Sequence, residues 1–274
     1  VKSLILVAFF SLAFLNFVSL LPAVEGNNYK IIQADAVSHG ASRQELSGNV
    51  IVEFGDIRLS AGRMVYTSLK RELNAWDEVK IIDPTFNLYC DRLNYSLQKN
   101  EAVAWGNPKL VFVEGKEGKE ISKTVLTGVQ IWIFTKEQRV QVFEDVCISK
   151  YGSSADDKAE VEFRVRCTSM ESLRRVKRTT FKGEVSLETP TVGASAARGL
   201  FDQLNNRFYL LGDSKAWNYT LSGDKVNSVE GDKIVYFLKE KKTVVVGNVV
   251  ADVLPDVKTG ERVIPERIDN AVRQ

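Results

Sequence analysis

Apolar and polar residues alternate in short runs along most of the chain. Val50-Ile51-Val52-Glu53-Phe54, Ile57-Arg58-Leu59-Ser60-Ala61, Val161-Glu162-Phe163-Arg164-Val165, Gly183-Glu184-Val185-Ser186-Leu187 and Thr243-Val244-Val245-Val246 carry the pattern most clearly. A period of two, in runs rich in branched and aromatic residues, predicts β-strands. Turn signals separate them: Phe54-Gly55-Asp56, Asp83-Pro84, Leu221-Ser222-Gly223-Asp224 and Lys239-Glu240-Lys241-Lys242. No helix is expected beyond residue 28. The most helix-like piece, Ser169 to Arg175, falls inside the same alternating texture.

The strands recur on a beat. Residues 61–81 lie over residues 90–110 without a gap: Arg63 meets Arg92, Tyr66 meets Tyr95, Lys70 meets Lys99, Glu72 meets Glu101, and Ala75-Trp76 meets Ala104-Trp105. Each unit closes on a phrase that reads as a turn followed by a strand. These phrases are Gly48-Asn49-Val50, Asp77-Glu78-Val79, Gly106-Asn107-Pro108, Glu144-Asp145-Val146, Gly183-Glu184-Val185, Gly212-Asp213-Ser214 and Gly247-Asn248-Val249. They are spaced by 29, 29, 38, 39, 29 and 35 residues, the longer steps carrying insertions such as Glu114 to Lys119 and Tyr151 to Asp157. The position of Trp76 and Trp105 is taken by Phe143 in the third unit and Lys182 in the fourth, so the tryptophan reads as packing rather than as a binding box. Units of this size cannot bury their apolar faces alone, and stacked neighbours share one interior.

The alternation turns one set of residues inward: Val50, Val52, Phe54, Ile57, Leu59, Val79, Ile81, Phe86, Leu88, Ile131, Ile133, Val161, Phe163 and Val165. That interior is either a solid core or a slot between two sheets that accepts lipid tails. Each buried methylene is worth about 0.8 kcal/mol, so an acyl chain of a dozen carbons would gain roughly 10 kcal/mol there. Period two is the same in both cases.

Composition narrows the function without naming it. With 37 Lys and Arg against 35 Asp and Glu, the net charge of +2 gives no reason to expect a nucleic-acid partner. The basic run Arg174 to Arg178 reads as a solvated turn. Lys2, the apolar run Leu4 to Leu21, Pro22 and the small residues around Ala23 to Gly26 read as a secretory signal peptide over residues 1–26, the alternative being an uncleaved membrane anchor. Of the three cysteines, Cys90, Cys147 and Cys167, at least one is unpaired, and all three read as small buried residues. No metal or cofactor motif is present, and His39, the only histidine, lies in what reads as a loop or short turn before Gly40-Ala41-Ser42. No catalytic residue is assigned, and an enzyme is not expected.

Leu46-Ser47-Gly48-Asn49-Val50-Ile51-Val52, Leu59-Ser60-Ala61-Gly62-Arg63-Met64-Val65-Tyr66 and Ala104-Trp105-Gly106-Asn107-Pro108 resemble the OstA-like repeat of periplasmic lipopolysaccharide transport proteins, the family of LptA, LptC and the LptD N-terminal domain. The resemblance covers residues 31–113 well and residues 121–253 more loosely, where Glu144-Asp145-Val146 lacks the glycine. It implies an all-β, elongated β-taco, or β-jellyroll, of antiparallel strands in two facing sheets over residues 29–254, with 255–274 as a tail or edge strand. It also implies a periplasmic location, lipopolysaccharide or a related glycolipid as cargo, no cofactor, and like-folded partners, including further copies, joined head to tail by edge-strand pairing. The inward set above would then line the lipid slot. The competing expectations are a membrane-anchored LptC-like component, a carbohydrate-active β-solenoid enzyme, and a structural envelope protein with a dry core.

Overall fold

In the computed structural model the described residues are 30–54, 56–83, 86–116, 119–152, 160–220, 222–253 and 259. The expected signal segment and, apart from Thr259, the expected tail lie outside them, as does the side chain of Phe54. The chain forms β1 (Lys30–Gln33), β2 (Ala36–His39), β3 (Arg43–Phe54), β4 (Ile57–Thr67), β5 (Glu72–Ile82), β6 (Phe86–Ser96), β7 (Glu101–Trp105), β8 (Lys109–Lys116) and β9 (Lys119–Thr127). It continues with β10 (Gln130–Phe134), β11 (Arg139–Gly152), β12 (Glu160–Leu173), β13 (Arg178–Glu188), β14 (Val192–Asp202), β15 (Arg207–Tyr219), β16 (Lys225–Phe237), β17 (Lys242–Val246) and β18 (Val250–Asp252). Every pairing is antiparallel. The all-β expectation holds for the described residues, where the helix-like piece reduces to one 3-10 turn, Arg174–Val176, after the β12 strand.

The closing phrases are not hairpin turns. Five are creases inside long strands, and Gly106-Asn107 and Gly247-Asn248 lie between consecutive strands, β7 and β8, and β17 and β18. Gly48 and Asn49 sit mid-β3 with φ of 73° and 49°, and the same left-handed doublet recurs at Asp77-Glu78, Gly106-Asn107, Glu144-Asp145, Gly183-Glu184, Gly212-Asp213 and Gly247-Asn248. A left-handed pair is what a type I′ hairpin needs, which is why a Gly-Asn doublet reads as a turn. Here it adds a bulge and bends the strand instead. The pairing registers jump at these points, between Ser47 and Val50, Trp76 and Val79, Lys182 and Val185, and Leu211 and Ser214.

Each creased strand therefore belongs to two leaves. Leaf A contains β2, the first part of β3, the second part of β4, and so on through β7 and β10 to β17; leaf B contains β1, the other parts, β8, β9 and β18. The Glu114–Lys119 insertion is absorbed as the β8–β9 hairpin in leaf B. The leaves meet along the crease and face each other. Phe163 of leaf B stands edge-on to Phe208 of leaf A, ring centroids 5.3 Å apart, and 5.9 Å from Phe201. One apolar cluster runs through both leaves from Leu46 to Tyr236. The result is the two-sheet β-taco, a trough closed at the crease and ending in two rims.

The rim of leaf A is stitched from turn to turn. Backbone N–H groups of Ser68, Leu97, Thr135, Arg174, Gln203 and Leu238 donate to carbonyls of Ser42, Arg71, Asn100, Gln138, Lys177 and Asn206 on the neighbouring turn. His39 ends β2, paired with Gln44, and is not in a loop.

Candidate functional site

Cross-strand registers place whole rows of side chains inside the trough. On leaf B one row runs Val52, Leu59, Ile81, Leu88, Leu110, Leu126, Ile148, Val165, Leu187, Ala194, Ala216. Next to the rim on leaf A runs Tyr66, Leu73, Tyr95, Ala102, Ile133, Val140, Ser172, Thr179, Phe201, Phe208, Tyr236. The residues expected inward fall on such rows. Val50, Val52, Ile57, Leu59, Val79, Ile81, Phe86, Leu88, Ile131, Ile133, Phe163 and Val165 belong to the apolar cluster, and Val161 is buried as well.

Inward residues are fully buried along the length of the trough: Val50, Val52, Leu110 and Ile131, and farther along Val142, Leu187 and Ile234, are all 0% exposed. Farther along, the leaves separate at the rims. A cavity of about 570 Å³ lies between them, within the range of about 300–1,000 Å³ usual for ligand pockets. Its apolar wall is Ile148, Val161, Phe163, Phe181, Phe201, Tyr236 and Leu238. Of the residues named from sequence, only Val161 and Phe163 line it. Its rim carries Thr124, Lys150, Glu160, Glu162, Thr189 to Thr191, Gln203, Asn206, Lys239 and Lys241. Lys150 faces inward opposite Phe163, and its charge is met by Glu162 at 3.3 Å, the two brought together by a bulge next to Lys150. Gln203 Nε2 donates to Thr179 Oγ1 at 3.3 Å, and Thr179 donates to Ser172 Oγ at 3.1 Å. The space is thus greasy inside and polar at its opening, the arrangement that accepts an apolar tail and keeps a polar head near water.

The outward face bears a different row, on the leaf A side of each crease: Arg63, Trp76, Arg92, Trp105, Gln130, Phe143, Ser169, Lys182, Arg198, Leu211, Lys233, Val246. Trp76, Trp105, Phe143 and Lys182 are structural equivalents, as the repeat implies. The tryptophans pack on the outside of leaf A. Arg63 covers Trp76 at 5.6 Å from the ring centre and pairs with Glu45. The fully buried partners are the neighbouring Ala75 and Ala104.

The three cysteines are free and buried. Burial, reinforced by the charge of Asp91, pushes the Cys90 thiol up to about 12, and burial pushes Cys167 up to about 12. Both stay protonated and unreactive at neutral pH. Burial also raises the Tyr95 phenol, against a hydrogen bond with Thr135. Among the described residues no His, Cys, Asp and Glu group is arranged to hold a metal ion. Arg164, an outward residue of β12, is nonetheless buried, held by Ser149 Oγ at 3.1 Å and by Glu188 at 3.9 Å.

Residues 154–242 match the family model described as LptA/(LptD N-terminal domain) LPS transport protein. The resemblance to OstA-like and LptA proteins is supported by that match, and the matched segment holds most of the cavity's lining. Among solved structures, the chain is similar to LptH, the LptA homologous periplasmic component of the lipopolysaccharide transport device from Pseudomonas aeruginosa. The identity is 11% and the TM-score 0.31, covering 62% of this chain and 95% of that one. No curated protein matches the chain.

Proposed function

We propose that this chain is a periplasmic, non-enzymatic carrier of lipopolysaccharide or a related glycolipid, exported by its N-terminal segment, and that the cavity between the rims holds an acyl chain. The observation that carries this reading is the coincidence of two facts. The segment matching the lipopolysaccharide transport family, 154–242, supplies the cavity's aromatic wall, and the cavity pairs an apolar interior with a polar opening. Val161 and Phe163 are the inward residues that touch the tail. The remaining inward residues described, Val50, Val52, Ile57, Leu59, Val79, Ile81, Phe86, Leu88, Ile131, Ile133 and Val165, form the packed wall of the trough.

The ends of the trough suit head-to-tail assembly with like-folded partners. Among the described residues β1 and β2 pair with β3 at one side of the leaves and β17 and β18 pair with β16 at the other, and strand addition at these outer edges would join one copy to the next. At the second end Val246, Val249, Val250 and Val253 are exposed.

A photo-crosslinking residue placed in turn at Phe163, Phe86 and Glu53 tests the carrier reading, with the full chain expressed in a lipopolysaccharide-producing cell. An adduct at Phe163, with none at Glu53, is expected. Adducts confined to outward positions such as Glu53 would sink it.

A further inference from the structure

The outer face of leaf A carries a ladder that the trough does not use. From β4 onward its rungs are Arg63, Trp76, Arg92, Trp105, Gln130 and Phe143. Aromatic and hydrogen-bonding side chains alternate strictly. None of the three aromatic residues belongs to the apolar cluster between the leaves, and each keeps surface open to water, 36% of it for Phe143. Neighbouring strands lie about 4.8 Å apart, so the aromatic rungs recur at intervals of about 9.6 Å along a line that crosses the strands.

The surroundings of the ladder narrow what fits it. The next outer row toward the rim reads Val65, Asn74, Asn94 and Val103, and Asn94 Nδ2 donates to Asn74 Oδ1 at 2.7 Å. That bond uses one donor and one acceptor, and each amide has others to offer. Followed to Val246, the ladder row holds basic side chains at five of its twelve positions and an acid at none. Of the flanking acids, Glu45 pairs with Arg63, and Asp77 and Asp91 pack against Gly62 and Gly106 at the crease. A protein partner asks for a continuous apolar centre, whereas here a polar rung separates each aromatic from the next.

An aromatic face is electron-rich and stacks on the C–H face of a sugar ring. Successive sugars of a β-1,4-linked chain alternate in orientation, so the same ring face returns at every second sugar, over nearly the distance of two strand spacings. An α-1,4-linked chain coils and does not keep that interval. We propose that this ladder binds an extended β-1,4-linked glycan that carries one carboxylate in every two sugars. Trp76, Trp105 and Phe143 stack on alternate sugars, and Arg92, between two platforms, meets a carboxylate with its fork of donors. Asn74 and Asn94 hydrogen-bond the hydroxyl or acetamido groups. The site lies on the opposite face of leaf A from the trough, and the proposal does not rest on the carrier reading.

The test is calorimetric titration of four probes into the full chain and its Trp105→Ala, Trp105→Tyr and Arg92→Gln variants. The probes are peptide-free strands of alternating N-acetylglucosamine and N-acetylmuramic acid, chitohexaose, chitobiose and maltohexaose. In the wild type the carboxylated strands are expected to bind about fivefold more tightly than chitohexaose, chitobiose about tenfold more weakly than chitohexaose, and maltohexaose not at all. Trp105→Ala should weaken the strands and chitohexaose about tenfold, and Trp105→Tyr should recover most of that loss. Arg92→Gln should bring the strands down to the level of chitohexaose and leave chitohexaose unchanged. A dodecyl probe of the trough should bind all variants as it binds the wild type. Failure of every glycan to bind the wild type overturns the proposal and leaves the carrier reading standing. Chitobiose binding as tightly as chitohexaose removes the ladder and overturns it, as does maltohexaose binding like chitohexaose. So does glycan binding that survives Trp105→Ala. Carboxylated strands that bind no better than chitohexaose, or whose advantage survives Arg92→Gln, overturn the assigned charge. If Trp105→Ala melts far below the wild type, Trp105→Tyr and Arg92→Gln decide the matter: loss of glycan binding in the tyrosine variant, at an unchanged melting temperature, overturns the stacking role.

Discussion

Toward the start of the trough the rim row of leaf A reads Tyr66, Leu73, Tyr95, Ala102 and Ile133, with Phe86 and Phe112 in leaf B; farther along it reads Ser172, Thr179, Phe201 and Phe208, with Thr124, Lys150 and Phe163 in leaf B. Both stretches share the creased antiparallel backbone, and the hollow one adds a bulge beside Lys150. Where bulky apolar residues meet, they bury one another between the leaves. Where small hydroxyls and an ion-paired lysine interrupt the row, the neighbouring phenylalanines hold the leaves apart and a cavity is left. Phe201 and Phe208 stack at 4.4 Å, and Phe163 abuts both, so one aromatic group works as a spacer. A β-taco can therefore be solid in one place and hollow in another without any change of fold.

Substitutions that trade one condition for the other separate the two stretches. The largest effect is expected from Leu110→Ala in the filled stretch. It removes a fully buried side chain and should cost about 2–5 kcal/mol in urea unfolding. A loss below about 1 kcal/mol would mean that the leaves collapse to fill the hole and that the wall is soft. Adding bulk should act in opposite ways. Ile133→Phe overpacks the filled stretch and should destabilise by about 1–3 kcal/mol. Val161→Phe grows into the cavity, and should leave the melting temperature within a few degrees while weakening binding of a dodecyl probe at least tenfold, about 1.4 kcal/mol. Probe binding that survives Val161→Phe places the ligand elsewhere.

At the crease, Gly48→Ala should cost roughly 1–3 kcal/mol, because the residue keeps a left-handed φ and its new Cβ runs into Asp35. Gly212→Ala bears the same strain, but its Cβ meets nothing nearer than Ala197 at 3.4 Å, so a smaller loss of about 1 kcal/mol is expected. Equal losses in chemical denaturation would rule out the Asp35 clash as the source. The smallest effects belong to the outer row. Arg63→Ala should cost about 0.5–1 kcal/mol by uncovering Trp76. Lys182→Ala should be neutral or slightly stabilising, within about 0.5 kcal/mol, because Arg198 stands directly opposite it.

Most of the architecture was legible in the sequence, because period two reports a half-buried strand wherever it occurs. The repeat identified equivalent rungs correctly, down to Lys182 standing where Trp76 does. Four features escaped for physical reasons. Gly48-Asn49 and its counterparts read as turns because a hairpin and a crease both demand two successive left-handed residues; only the partner strand's register tells them apart. His39 read as a loop residue because of Gly40 beside it, yet it is the final rung of β2. The hollow could not be located because alternation specifies which side of a strand faces inward, not what stands across the gap. Ser172, Thr179 and Lys150 on inward positions were its trace. Arg174 sat in a run of basic residues that reads as solvated, yet it is buried, and charge spacing carries no record of which member loses its contact with water.

The doublet crease, repeated at every other strand, sets the cross-section of the trough locally, one pair of residues at a time. Nothing in the bend refers to the total number of strands. The profile behaves like an extrusion: each further rung lengthens it by about 4.8 Å while its width stays the same. Duplication of a single unit can thus extend the path available to a cargo without redesigning any part already built, and a hollow can be moved along that path by exchanging a few rim side chains.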